Sequence, residues 1–238
     1  MNFLSIGHLC HDRLGDRNIL GGTASYSSLV AKQLGLKTSI LTSVGGDFEF
    51  FSFFEKNGIR VWNKKAERTT VFENIYRDGQ RTQYLHARAE TLFADDVPAE
   101  CLQAKIVLCC PIADEVDFSI LRKFPYALKG ATIQGWLRQW DAKGKISPKE
   151  MDWSQLAAAD VVIMSDADIQ GFESKIPEIA ALVKVLVMTQ GARGATVFSQ
   201  NQKFHFPAFS VKEVDAMGAG DDGESAAAME FCWEIGHL

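Results

Sequence analysis

An α/β fold, built as a doubly wound, mostly parallel sheet with helices on both faces and a small β-sheet lid, is predicted by three observations. Short apolar runs at FLSIGHL, KTSILTSV, KIVLCC, KGATIQ, DVVIM and KVLVMT alternate with helical or loop stretches, the order that places parallel strands between helical layers. Glycines stand where helices end or chains turn, at Gly35, at Gly45-Gly46 and at Gly58. One stretch breaks the series: RTTVFENIYRDGQRTQYLHARA alternates apolar and polar residues about Asp78-Gly79, a favoured pair for a two-residue hairpin turn. With 238 residues, one main domain is expected over residues 1–238, with residues from about 59 to 92 projecting from it as the β-lid.

Taken in order, FLSIGHL reads as a buried strand that runs out into the polar loop CHDRLGD. TASYSSLVAKQLG follows Gly21 and Gly22 and reads as a helix opened by Thr23 and closed by Gly35. KTSILTSVGGD and FEFFSFFEKNG repeat the unit as strand, glycine turn, helix and terminal glycine. Phe48, Phe50, Phe51, Phe53 and Phe54 make this helix more aromatic than it needs to be; most are assigned to the core. Residues 60–63 are expected to join the hairpin as a third strand of the lid. After Pro98 the strand series resumes, and ligands of such sheets sit beyond the carboxyl ends of the strands. His11, Asp12, Gly45, Asp47, Pro111, Arg138, Asp168 and Gly191 fall at those ends.

Composition narrows the function. The chain is 47% hydrophobic and 23% charged, ordinary for a folded domain, and its net charge of -5 offers no basic stripe for nucleic acid. No apolar run reaches the length of about 20 residues that spans a bilayer, and the opening MNFLSIGHLCHD lacks the features of a signal peptide; a cytoplasmic protein acting on a small molecule is the expectation. Cys10, Cys101, Cys109, Cys110 and Cys232 match no zinc or redox spacing. A dinucleotide-dependent dehydrogenase would show a GxGxxG turn after the first strand, and none is there.

The chemistry-bearing motif is VDAMGAGDDGESAAAMEF. Gly218, Ala219 and Gly220 precede a segment able to form a helix, and amides freed at such a start, open to a ligand because glycines flank them, bind anions. A carboxylate at Asp221 could accept the proton of a hydroxyl attacking a phosphoryl group held by those amides. Taken alone, the four residues fit a helix cap equally well.

Together with other segments the motif is similar to those of the ribokinase-like (PfkB-type) carbohydrate kinases. Asp12 after the first strand, LGGTASYSSLVAKQLG, SVGGD, a β-hairpin at the place of the family's lid, TQGARG and VDAMGAGD come in the family's order across nearly the whole chain. CHD, Pro111-Ile112 with Glu115, and IQGWLR resemble the branch that includes inositol kinases. The resemblance implies a ribokinase-like fold and an ATP- and Mg2+-dependent transfer of the γ-phosphoryl group to a hydroxyl of a small sugar, an inositol-like polyol or a nucleoside. It makes Asp221 the catalytic base and the amides at Gly218, Ala219, Gly220 and Asp221 the anion hole. Asp12, Gly21, Gly22 and Glu115 would be substrate-binding, since a carboxylate accepts two hydroxyl hydrogen bonds and glycines let a polyol reach the backbone; for Glu115 a solvated acid at a helix start is the competing assignment. Thr189, Gly191 and Gly194 would border the nucleotide, although a tight strand-to-strand turn also accounts for the glycines. The family's metal-organising Asn-x-x-Glu appears as Ser165 to Asp168, with Asp168 meeting magnesium through water. The lid is also a surface through which two copies could form a homodimer.

Three departures accompany the match. Tyr26 stands where the family has its usual substrate asparagine. Asp222, Gly223 and Glu224 follow Asp221 in place of small and apolar residues, which adds like charge beside the base and weakens the helix start. The chain stops at Leu238, where family members continue for several helices, so C-terminal truncation is expected. A binding protein without catalytic activity is the alternative function.

Overall fold

The computed structural model describes residues 2–77 and 80–208. The hairpin turn at Asp78-Gly79, and Gly218, Ala219, Gly220 and Asp221, lie outside the described residues. The chain begins with β1 (Phe3–Ile6), β2 (Cys10–Leu14), β3 (Arg17–Gly21), α1 (Thr23–Gln33), β4 (Thr38–Val44), α2 (Phe51–Lys56), β5 (Arg60–Lys65), β6 (Thr70–Arg77) and β7 (Gln80–Ala87). It continues with β8 (Ile106–Cys109), β9 (Leu128–Thr132), β10 (Arg138–Trp140), β11 (Ile146–Pro148), β12 (Val161–Ser165), α3 (Ile176–Leu182), β13 (Val185–Thr189), β14 (Ala195–Ser199) and β15 (Gln202–Phe206).

A nine-stranded sheet has the order β15-β14-β13-β12-β9-β8-β1-β4-β5. Its strands from β13 to β5 pair in parallel, and β14 and β15 add an antiparallel margin. Alternation along β1 shows how both faces are buried: Leu4 and Ile6 enter one core with Trp136, Phe124 and Trp153, and Phe3 enters the other with Ala24, Ala31 and Phe54. One face is therefore covered by α1 and α2. The other is covered by α3 and by short 3-10 turns that carry Cys101, Ile120, Leu121 and Leu156.

The small residues of α1 explain its close seat on the sheet. Ala24, Ser27, Ser28 and Ala31 are buried against it, and the Ser27 hydroxyl lies 2.9 Å from that of Ser5 on β1. The helix ends as its sequence predicts: Gly35 takes φ 81°, and the Leu36 N–H reaches back to the Ala31 carbonyl at 3.0 Å, a Schellman closure that favours glycine. In α2 only Phe54 is fully buried, and Phe51 and Phe53 remain exposed on its far side.

Two expectations change. Residues 60–63 do not join the lid; β5 pairs in parallel with β4 from Ser39↔Arg60 to Val44↔Lys65 and forms the margin of the large sheet. The cause is the crossover through α2, whose terminal Gly58 at φ 64° returns the chain in the direction of β4. The polar stretch CHDRLGD is not a loop: Cys10–Leu14 and Arg17–Gly21 form a hairpin closed by Gly15-Asp16. Gly15 sits at φ 59° and Asp16 has no positive φ, the pattern of a two-residue turn with glycine first. The second, four-stranded sheet is thus β3-β2-β6-β7, with β2 and β6 parallel.

Candidate active site

The strand order of the large sheet reverses at β1, with β4 on one side and β8 on the other. A crevice beyond the carboxyl ends of such neighbours is where open α/β sheets bind ligands, and the segments leaving β1 and β8 here, residues 7–12 and 110–115, lie together. Their backbones nearly touch. A Cβ on Gly7 would collide with the Cys110 carbonyl, and one on Gly135, in the turn after β9, would collide with Pro111 and Ile112.

The glycine pair is explained by its immediate neighbours. A Cβ on Gly21 would strike the Asp12 carboxylate, and one on Gly22 would strike the His8 carbonyl. Asp12 on β2 therefore lies over Gly21 at the end of β3, its partner strand, and Gly21 leads through Gly22 into α1. Gly22 precedes α1 at φ 94° and ψ 130° with no side-chain cap, and the Ser25 amide bonds its carbonyl at 2.8 Å. Sequence and structure thus bring Asp12, Gly21 and Gly22 together at the switch point. Tyr26, one turn into α1, directs its hydroxyl to the Leu20 carbonyl at 3.4 Å. Replacing Gly22 with alanine is expected to destabilise the protein by about 3 kcal/mol, because positive φ and a backbone collision act at one residue. Denaturant unfolding measures this, and an unchanged midpoint would refute the account.

Glu115 requires a correction, because it is neither a solvated acid at a helix start nor open to a substrate. Its side chain is fully buried, and its carboxylate accepts the backbone N–H groups of Ile112 at 3.0 and 2.9 Å, Ala113 at 2.6 Å and His8 at 3.1 Å. It holds the loop after β8 in shape and ties it to the loop after β1. Asp114 beside it takes φ 54° and forms an ion pair with Lys149. Arg138, the first residue of β10, fastens onto the same loop: its guanidinium donates to the Ile112 carbonyl at 2.8 Å and lies 5.6 Å from the centre of the Phe72 ring.

The four-stranded sheet is held against these loops on one face, where Cys10, Phe72 and Leu85 pack on Ile112 and Ala113. The β10–β11 hairpin extends it: the Leu85 amide donates to Gly144 at 2.8 Å, and Tyr84 bridges to Lys145. At its base, Asp47 after β4 accepts the Thr69 N–H at 2.9 Å and its hydroxyl at 2.7 Å. Burial favours the neutral Asp47 carboxyl, yet these hydrogen bonds outweigh it and hold the group below the usual carboxylate range. His8, which no sequence motif marks, bonds Thr70 and the Glu90 carbonyl. His11 stacks on Phe48 at 5.7 Å between ring centres, and burial lowers its basicity against the opposing charges of Asp47 and Glu49.

The residues expected at the nucleotide and metal lie further along the same edge. Ser165 ends β12 opposite Thr189 at the end of β13. The Asp168 carboxylate accepts the Ser165 amide at 2.8 Å and hydroxyl at 2.7 Å through Oδ2, and the Gln134 amide at 3.1 Å through Oδ1. Gly191, at φ 56°, has open space where a Cβ would be, whereas Gly194, at φ 91°, is packed on the backbone at Phe206, Pro207 and Ala208. Gly194 thus has a packing reason of its own and Gly191 faces outward. Asp166 and Arg193 form an ion pair between the two loops. Among the described residues no group of three His, Cys, Asp or Glu is placed to hold a metal ion, and no helix is long and apolar enough to cross a membrane.

Comparison with known proteins agrees with this arrangement. The nucleoside kinase of Methanothermobacter thermautotrophicus is 26% identical over 220 residues, covering 86% of this chain and 69% of that protein. A probable fructokinase-5 of Arabidopsis thaliana is 23% identical over 234 residues, covering 84% and 70%. Among solved structures, a pyrophosphate-dependent kinase in the ribokinase family, determined also with a pyrophosphate analog and myo-inositol, superposes with a TM-score of 0.83 at 21% identity, covering 98% of this chain and 88% of that one. Ribokinase from Thermotoga maritima superposes at 0.75 and 17% identity, covering 97% and 86%. The fold is therefore ribokinase-like, a large mostly parallel sheet with a small second sheet. The profile of the pfkB family carbohydrate kinases matches residues 16–222, and the chain belongs to that family.

Proposed function

We propose that this protein transfers the γ-phosphoryl group of ATP to a hydroxyl of a small polyol, sugar or nucleoside. One observation carries the reading: Asp12 lies over Gly21, the first residue of the glycine pair, beyond the carboxyl end of β1, where the strand order reverses and the second sheet covers the edge. In this reading the second sheet, not residues 59–92 alone, is the lid, and Asp12 accepts hydrogen bonds from two acceptor hydroxyls. The Asp221 carboxylate takes the proton of the attacking hydroxyl as the new oxygen–phosphorus bond forms and the bond to the leaving ADP oxygen breaks. The amides at Gly218, Ala219 and Gly220 receive the charge that develops on the transferred group. Thr189 and Gly191 border the nucleotide.

Magnesium fits the residues present in a limited way. Asp168 has acceptor capacity left on Oδ1 beyond the Gln134 bond, so it would hold a metal-bound water, as suits an ion that keeps most of its hydration. When bound, the ion neutralises charge on the phosphate oxygens.

The test is a panel of myo-inositol, fructose and adenosine, each with ATP and with pyrophosphate, followed by phosphorus NMR of the product. Phosphorylated product from ATP with one acceptor class is expected. Product from pyrophosphate alone would overturn the donor assignment. Thermal stabilisation by an acceptor without product from either donor would show a binding protein instead.

A further inference from the structure

We infer that His8 is a positioning residue for the acceptor, fixing the lid sheet in register with the glycine pair; this rests on the kinase reading above. Its main chain belongs to the floor of the site. The His8 N–H donates to Glu115 at 3.1 Å, and its carbonyl is the atom against which Gly22 packs. The ring belongs to the lid. Thr70, the first residue of β6, donates its hydroxyl to Nδ1 at 2.7 Å, and Nε2–H donates to the carbonyl of Glu90, just past β7, at 2.9 Å. Both legs of the β6–β7 hairpin are thereby fastened to one imidazole. The Thr70 oxygen also accepts the Ala89 amide at 2.9 Å, which closes the legs on each other.

The Glu90 carbonyl can only accept, so Nε2 carries a proton, and Nδ1 accepts from Thr70 in the neutral ring. Burial supplies it: the imidazole is fully enclosed, which lowers its basicity below the ordinary value of 6.5. The charged groups facing it are Glu115 on the loop after β8 and Glu90 and Arg88 after β7. Glu115 and Glu90 favour the proton, Arg88 opposes it, and burial outweighs them. His8 thus differs from a structural histidine at a sheet base in what it joins, since one residue contacts Gly22, the loop after β8 and both lid legs.

Two variants test this, His8→Gln and Thr70→Val, the second keeping the side-chain shape while removing the hydroxyl. Steady-state kinetics with the acceptor that turns over in the panel should show acceptor KM raised about tenfold or more in both. Donor KM should be unchanged and kcat within about threefold. Hydrogen exchange of the β6 and β7 amides should be faster in both variants without ligand. An unchanged acceptor KM beside faster exchange would overturn the inference, because the ring would then only fasten the lid. Equal losses for both substrates would overturn it as general structural damage. No turnover by the wild type with any acceptor would overturn the kinase reading and this inference with it, whereas wild-type turnover matched by both variants would overturn this inference alone.

Discussion

Asparagine at position 221 is expected to reduce phosphoryl transfer by about three orders of magnitude while acceptor affinity stays within about twofold. A positioned general base contributes about 10²–10⁴ to rate, and the amide retains the size of the carboxylate but cannot take the proton. The residues that meet the acceptor in our reading, Asp12 and the glycine pair, lie elsewhere in the sequence, on β2 and before α1, so binding and chemistry should separate. Single-turnover kinetics and calorimetric titration of the acceptor measure the two. Full activity in the variant would remove Asp221 from the mechanism, and loss of acceptor binding would move it into the substrate site. The family profile extends through this residue, to 222.

Alanine at Glu115 is expected to destabilise the fold by roughly 3–5 kcal/mol, a fall in Tm of about 10 °C for a chain of this size. The carboxylate is the acceptor for the N–H groups of His8, Ile112 and Ala113, and burial denies those groups water once it is removed. Each buried donor left without a partner costs about 1–3 kcal/mol. Glutamine should recover part of the loss, because its oxygen replaces one acceptor while its NH2 faces donors. Thermal unfolding of the two variants beside the wild type decides this; an alanine variant within about 2 °C of wild type would show that the loop does not depend on the bonds.

The large sheet was legible because its strands are apolar runs between polar segments, and the reading of KIVLCC, KGATIQ, DVVIM and KVLVMT agrees with β8, β9, β12 and β13. α1 was legible to the residue at its start, because Thr23 follows two glycines. The β2–β3 hairpin leaves little trace in the sequence because its strands are polar: HDR and RN carry no period-2 apolar signal, and only the Gly15-Asp16 dipeptide marks the turn. The sequence of β5 does not distinguish the two sheets, because alternation reports half-burial and not the identity of the neighbour. Glu115 showed its type but not its burial, since the loop that encloses it is shaped by contacts between Gly135 and Pro111, residues distant in sequence. His8 carried no signal because its role comes from Thr70 and Glu90, far along the chain.

The parallel pairing of β2 with β6 has a consequence for how this chain reaches its native state. Each hairpin of the second sheet can close locally, but the seam between them requires α1, β4, α2 and β5 to be traversed first. Parallel neighbours need such a crossover, and closing a long segment costs entropy before any pairing offsets it. The seam is therefore expected to close later in folding than either hairpin. A lesion confined to the β4–β5 margin is expected to delay closure of the second sheet while leaving β12 and β13 free to pair.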